Sequence, residues 1–188
     1  MTRLYCKQCA YPERTCLCRA VTKVSYRTRI VVLQHPSESR HAKNTARIIS
    51  LVIPDTETVV GETAGDFRDV RNRFQSDPTA IVLYPAAIST PLKESVGRET
   101  INTIIIIDGT WRKAKKIWLS NPWLHTMRVC DINDANSSLY NIRSGSNPNG
   151  LASIEAAAFA LSQLEEASTK PLLEAFMAMQ KQWLQFER

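Results

Sequence analysis

The sequence predicts an α/β domain built on a mainly parallel sheet flanked by helices, preceded by a small N-terminal metal-binding module. Three observations carry this. Continuous β-branched runs such as Thr103-Ile104-Ile105-Ile106-Ile107 alternate with amphipathic stretches at helical spacing, the pattern of strands joined by crossover helices. The length, 188 residues, suits one main domain with a buried core and not two full-sized ones. Four of the five cysteines fall within the first eighteen residues, a stretch with too few large apolar side chains to form a core, so something other than hydrophobic burial must hold it. The expected division is 1–22 for the module and 23–188 for the main domain.

Taken in order, Cys6-x-x-Cys9 and Cys16-x-Cys18 supply four soft ligands, enough to close a tetrahedral zinc shell. Structural zinc on Cys6, Cys9, Cys16 and Cys18 is the expected occupant. The same thiolates suit an iron–sulfur cluster, and reactive thiols or an unmetallated arm are the plainer readings. A zinc ion closed by four thiolates has no open position, so this is not a catalytic centre. Arg29-Ile30-Val31-Val32-Leu33-Gln34 reads as a buried strand running into His35-Pro36-Ser37-Glu38. Over 39–51, Ala42, Ala46 and Ile49 recur at helical spacing with Arg40, Lys43 and Arg47 on another face, which predicts an amphipathic helix with a basic side.

Short strands are expected at 57–60 and 80–84, the second stopped by Pro85 because proline cannot continue a central ladder, with 61–78 irregular. The strand 102–107 belongs in the sheet interior. Asp108-Gly109-Thr110-Trp111 follows it, then a helix over 112–119 that Asn121-Pro122 ends. Another strand, 127–132, holds Cys130 as a buried residue. The polar loop 133–150 leads to a helix whose Ile154, Ala157, Ala158, Leu161 and Leu164 form one apolar stripe. Pro171 opens the last helix, where Leu173, Phe176, Met177, Trp183 and Leu184 form a second stripe expected to pack on the sheet.

Hydrophobic content of 44% and charged content of 22% are those of an ordinary globular chain. No apolar run approaches the ~20 residues of a membrane span, and the first twenty residues carry cysteines and charges where a secretory leader needs an apolar core. A cytoplasmic protein without membrane association is expected, and no protein partner is indicated. The formal net charge of +6, from 24 Lys and Arg against 18 Asp and Glu, biases the chain toward polyanions. The P-loop, Gly-x-Gly-x-x-Gly and Gly-x-Ser-x-Gly patterns are missing, which removes support for nucleotide hydrolysis, Rossmann-type dinucleotide binding and serine hydrolysis.

Chemistry concentrates where the strand 102–107 ends, because open α/β sheets place ligands at the carboxyl ends of their strands. A carboxylate there can act as general base, a glycine turn admits a ligand to the backbone, and an indole can stack on a nucleobase. The plainer reading has Asp108 capping the helix and Trp111 packing in the core. Arg112-Lys113 and Lys115-Lys116 follow at once, so a phosphate backbone bound there would lie beside the site; such runs also serve as solvated helix faces. His35-Pro36-x-Glu38 brings an imidazole and a carboxylate to the same edge if both strands run parallel. With three histidines a second metal site is not expected, and His41 and His125 read as surface or loop residues. Ser138-Leu139-Tyr140-Asn141-Ile142-Arg143 supplies an aromatic and a guanidinium, and Ser153-Ile154-Glu155 suits a helix cap.

Together these stretches resemble the DTW-domain family of tRNA-uridine aminocarboxypropyltransferases. The residues that carry the resemblance are Cys6-x-x-Cys9 with Pro12 and Cys16-Leu17-Cys18, His35-Pro36-x-Glu38 with Lys43-Asn44-Thr45, Asp108-Gly109-Thr110-Trp111, Ser138-Leu139-Tyr140-x-Ile142-Arg143, and Leu151-x-Ser153-Ile154-Glu155-Ala156. They occur in the family's order and span about Cys6 to Ala156. One departure is Ser153, where the family usually has threonine; the hydroxyl is kept.

The resemblance implies a SPOUT-like domain whose C-terminal part is threaded into a trefoil knot, a topology no periodicity argument reaches. It implies S-adenosylmethionine as co-substrate and transfer of its 3-amino-3-carboxypropyl group to a tRNA uridine, with Asp108 as base. Trp111 or Tyr140 would stack on a base or on the adenine, and His35, Glu38 and Asn44 would shape the uridine pocket. The cofactor would be held by Leu83, Tyr84, Pro85, Ile107, Gly109, Thr110, Leu139, Tyr140 and Ser153. Lys43, Asn44, Arg112, Lys113, Lys116 and Arg143 would contact the tRNA. Two rival readings are a SPOUT-like RNA methyltransferase and a non-catalytic zinc-containing RNA-binding protein.

Overall fold

The structure, a computed structural model, describes residues 4–97, 100–132, 151–165 and 167–186. Among them six strands form one wholly parallel sheet: β1 (Arg29–Gln34), β2 (Glu57–Val60), β3 (Ala80–Leu83), β4 (Thr90–Pro91), β5 (Thr103–Asp108) and β6 (Arg128–Asp131), in the order β2-β1-β5-β3-β6-β4. The helices are α1 (Ala46–Val52), α2 (Arg68–Phe74), α3 (Leu92–Ser95), α4 (Trp111–Ser120), α5 (Ser153–Glu165) and α6 (Lys170–Phe186). The expected α/β class and parallel sheet are thus observed. Residues 133–150, on which threading of the C-terminal part depends, lie outside the described residues, and with them the expected knot.

Strand β5 is buried along its whole length because the sheet is covered on both faces. Ile104 and Ile106 enter one core with Ile30, Val32, Ile81 and residues of α1, α5 and α6. Ile105 and Ile107 enter the other with Val31, Leu33, Val82 and residues of α2 and α4. Each such side chain stabilises the fold by about 2 kcal/mol over an exposed one, so an unbroken apolar run is what a doubly covered strand requires. Cys130 on β6 is fully buried, as expected.

Several elements differ from the sequence reading. The helix expected over 39–51 starts only at Ala46. Before it, His35 caps a 3-10 turn over Pro36–Glu38. Asn44 then donates from Nδ2 to the Glu38 carbonyl (2.7 Å) and accepts at Oδ1 from the Arg47 N–H (2.9 Å), which holds the loop and opens the helix. Arg40, Lys43 and Arg47 therefore do not share a helical face; the Arg47 guanidinium bonds the carbonyls of Ala10 and Ser39. The stretch 61–78 is not all irregular, since α2 buries Val70 and Phe74 one turn apart. Strand β4 and helix α3 were not expected. In α6 the buried side is Leu172, Ala175, Phe176 and Met179, while Met177 and Leu184 are exposed. That helix meets chiefly α1, α5 and the N-terminal segment, and its buried side joins the core that lies on that face of the sheet.

Candidate active site and metal centre

Because the strands are parallel, the carboxyl ends of β1, β5, β3 and β6 lie along one edge, with Gln34 level with Asp108 and Leu83 level with Ile106 and Cys130. A cavity of about 350 Å³ opens there, in the range of small-molecule sites. Its floor is Leu83, Tyr84 and Pro85 at the end of β3, Ile106, Ile107 and Gly109 around the end of β5, and Asp131 and Ile132 at the end of β6. Trp111 and Ala114 of α4 form one wall, and Leu151, Ser153 and Ala156 at the start of α5 form the other.

Asp108 lies behind this wall, 7% exposed. Its Oδ2 accepts from Gln34 Nε2 (2.9 Å) and its Oδ1 from Ser153 Oγ (2.5 Å). Burial pushes the carboxyl above its usual range, opposed by the bonds from Ser153 and Gln34. The cavity wall contains Ser153 and the residues on either side of Asp108, so the carboxylate addresses the cavity through one hydroxyl. Neither plainer reading holds: Thr110 is the N-cap of α4 and no side chain caps that end, and Trp111 is 40% exposed. The capping expected of Ser153-Ile154-Glu155 comes from Glu155, whose Oε2 accepts from the Ala152 N–H (2.7 Å). The Ser153 hydroxyl goes to Asp108 instead.

His35 and Glu38 stand beside the cavity and not in its wall. His35 Nδ1 accepts from the Ser37 N–H (3.2 Å), and Nε2 meets Glu62 Oε2 at 2.9 Å. The other Glu62 oxygen takes Lys116 Nζ at 2.8 Å; Lys116 first, then His35, hold the Glu62 carboxyl below its usual range against the cost of burial. Glu38 Oε1 pairs with Lys113 Nζ at 2.7 Å. One ionic bridge thus ties the loop after β1 to α4, and a second ties Glu62, after β2, to the same helix and to His35. Gly109 is needed where they converge, since a Cβ there would stand 3.0 Å from Lys113 Cβ and 3.6 Å from His35 Cβ.

Of the residues expected to contact substrate, Lys113 and Lys116 are engaged in these bridges, Arg112 is exposed, and Lys43 places its ammonium 5.0 Å over the Trp183 ring. Asn44 is buried in the loop it closes. Thr110 stands next to the cavity wall. Leu139, Tyr140 and Arg143 lie outside the described residues. Sequence reasoning missed Gln34, Glu62 and Asp131. The only advance signal was their position at or just beyond predicted strand ends.

The four N-terminal sulfurs lie within 4.8 Å of one another, with Cys6 to Cys18 at 3.6 Å and Cys9 to Cys16 at 3.8 Å. Zinc–sulfur bonds of ~2.3 Å in a tetrahedron set sulfurs about 3.8 Å apart, so the quartet fits such an ion; all four are free thiols and not disulfides. Burial and the neighbouring thiols push Cys18 up to about 12, the state a bound dication would reverse. Hydrophobic burial, on which the sequence reading did not count for this segment, also holds it. Cys9, Tyr11 and Leu17 are buried in the same core as α1, α5 and α6. The Tyr11 hydroxyl donates to the Asn44 carbonyl, and Gln182 of α6 donates to the Cys16 carbonyl (3.1 Å).

These features define an α/β protein with a ligand-sized cavity at the carboxyl edge of a parallel sheet and a separate four-sulfur centre. The DTW domain matches residues 3–184, and the chain belongs to the DTW-domain family. It is 32% identical over 166 residues to tRNA-uridine aminocarboxypropyltransferase 2 of Drosophila melanogaster, covering 85% of this chain and 66% of that protein. It is likewise 32% identical over 168 residues to tRNA-uridine aminocarboxypropyltransferase 2 of Mus musculus, covering 86% and 56%. With tRNA-uridine aminocarboxypropyltransferase A of Arabidopsis thaliana the identity is 26% over 138 residues, covering 61% and 50%. The chain thus spans between half and two thirds of the length of these curated relatives. No solved structure matches it. Among the described residues no helix is long and apolar enough to cross a membrane.

Proposed function

We propose that the chain transfers the 3-amino-3-carboxypropyl group of S-adenosylmethionine to the ring nitrogen at position 3 of a tRNA uridine, releasing methylthioadenosine. The observation that carries this reading is the cavity lined by Ile107, Gly109 and Trp111 and by Leu151, Ser153 and Ala156, with a buried carboxylate one hydrogen bond behind its wall. The names of the relatives supply the reaction and the substrate.

Three carbons next to the sulfonium are electrophilic, so the product is decided by which of them the cavity presents in line with the nucleophile. The uracil nitrogen between two carbonyls becomes nucleophilic on losing its proton. In this reading Asp108 takes that proton, with Ser153 as the point where it leaves the cavity; a carboxyl raised by burial is a stronger base when ionised. The nitrogen–carbon bond forms as the carbon–sulfur bond breaks, and the electron pair departs on a neutral thioether. Trp111 at the mouth offers a stacking face, and Arg112 and Lys115 offer charge to the phosphate backbone. The four thiolates hold a structural zinc ion, and free thiols suit the cytoplasm. A SPOUT-like, knotted C-terminal part goes with the same reading.

Incubation with S-adenosylmethionine and unmodified tRNA should release methylthioadenosine and add one aminocarboxypropyl mass to the tRNA. Release of adenosylhomocysteine would instead make the protein a methyltransferase, and tRNA binding without turnover would make it an RNA-binding module.

A further inference from the structure

Positive charge is divided unevenly along the chain. Residues 1–47 hold ten Lys and Arg against Glu13 and Glu38, and the other 141 residues hold 14 against 16, so the first quarter carries a formal charge of +8 and the remainder −2. A zinc ion on four thiolates subtracts two, which still leaves the excess at the N-terminal end. Charge that serves solubility is spread with both signs interspersed, whereas a one-sided field attracts a partner of the other sign. Within this stretch Lys7, Arg14, Arg19 and Lys23 are exposed, and none of them forms an ion pair among the described residues. In the sheet domain, by contrast, Lys113, Lys116 and Arg73 are paired with Glu38, Glu62 and Glu57.

The four sulfurs gather these residues. Lys7 follows Cys6 and Arg19 follows Cys18, whose sulfurs are 3.6 Å apart, and Lys23 lines a cleft of about 570 Å³ with Gln8, Cys9, Cys18 and Ser50. The segment is joined to the loop after β1, because Arg47 bonds the carbonyls of both Ala10 and Ser39 and Tyr11 donates to the Asn44 carbonyl. It packs in the core of α1, α5 and α6, while α4, with Arg112 and Lys115, packs in the core on the opposite face of the sheet. A partner that touches both must pass over the carboxyl edge, where the cavity opens. We propose that the four-cysteine segment is a second docking surface for the tRNA, with Lys7, Arg19 and Lys23 set against the sugar–phosphate backbone away from the reacting uridine. A folded RNA carries phosphates along one continuous backbone, as two cation clusters on opposite faces require. The assignment rests on the tRNA reading above and is independent of which group is transferred.

Fluorescence anisotropy with a labelled, unmodified tRNA tests this on wild type and three variants. Lys7→Ala with Arg19→Ala and Lys23→Ala should bind at least about tenfold more weakly at about 0.1 M salt, and the slope of log affinity against log salt should drop by about 0.7–0.9 for each phosphate no longer met. Lys7→Arg with Arg19→Lys and Lys23→Arg, which keeps the charges, should bind as wild type does. Arg68→Ala with Arg73→Ala and Lys170→Ala, which removes as much charge elsewhere, should keep the wild-type slope. Calorimetry with S-adenosylmethionine should give one affinity for all four proteins, since no described residue of the segment lines the cavity; a loss there in the first variant would assign the effect to the fold and overturn the surface. An unaltered slope in the first variant, or an equal drop in the third, would overturn it as well. Wild type that binds no tRNA would defeat the tRNA reading itself.

Discussion

Replacing Asp108 with Asn should separate catalysis from stability in opposite directions. Holding a carboxylate at this depth costs several kcal/mol, and the two hydrogen bonds from Gln34 and Ser153 each return about 1.5–3 kcal/mol. The carboxyl is raised, burial being the largest cause, so cost outweighs return. In Asp108→Asn the amide oxygen still accepts from Gln34 Nε2, and the amide nitrogen donates to Ser153 Oγ once that hydroxyl turns, so no buried group is orphaned. The variant should gain about 1–2 kcal/mol at pH 7, a rise in melting temperature of about 2–4 °C per kcal/mol for a chain of this size. Turnover, read as methylthioadenosine release, should fall about 10²- to 10⁴-fold. A raised carboxyl means that the folded state holds its proton to higher pH than the unfolded one. Wild-type stability therefore falls as pH rises from the unfolded value through the folded value, and the gap between the proteins opens over that window and closes below it. A variant that melts below wild type at pH 7 while keeping its turnover would show that Asp108 clamps α5 to the sheet and takes no proton.

Three further outcomes follow from the geometry. Elemental analysis should find one zinc ion per chain, and its removal by a chelator should lower stability by about 3 kcal/mol or more; a metal-free preparation that melts like the native one would dismiss the centre. Arg112 and Lys115 have no ion-pair partner among the described residues, so Arg112→Ala with Lys115→Ala should weaken tRNA binding. The slope of log affinity against log salt should drop by about 0.7–0.9 for each phosphate no longer neutralised, and an unaltered slope would place the tRNA elsewhere. Gly109→Ala sets a Cβ 3.0 Å from Lys113 Cβ and should cost about 1–2 kcal/mol with weaker donor binding, read by melting and calorimetry.

The sheet interior and α5 were legible because their side chains face uniform surroundings: β5 is apolar throughout, and Ile154, Ala157, Ala158 and Leu161 keep helical spacing. Local hydrogen bonding hid the start of α1, since Asn44 satisfies the backbone before the apolar spacing takes hold. Charge hid α2, where Arg68, Asp69, Arg71 and Arg73 leave two buried positions to carry the pattern. In α6 the apolar residues outnumber the places available, so Met177 and Leu184 mislead the stripe. Within the site, Asp108 and Ser153 stood out by their motifs, but the bond between them joins segments 45 residues apart. Gln34 becomes a partner of Asp108 only through the β1–β5 register. Asp131 becomes part of the floor only through the strand order, which no local pattern encodes.

The cysteine segment shares its packing with the last helix: Tyr11 and Leu17 sit in one core with Phe176 and Met179, and Gln182 reaches the Cys16 carbonyl. On the ribosome the first sulfurs emerge long before their packing partners exist, so an early metal ion would knot the segment into a small preformed plug. The contact between that plug and α6 spans most of the chain, and contacts of such sequence separation are slow to form. Shortening the chain at its far end should therefore unsettle its beginning.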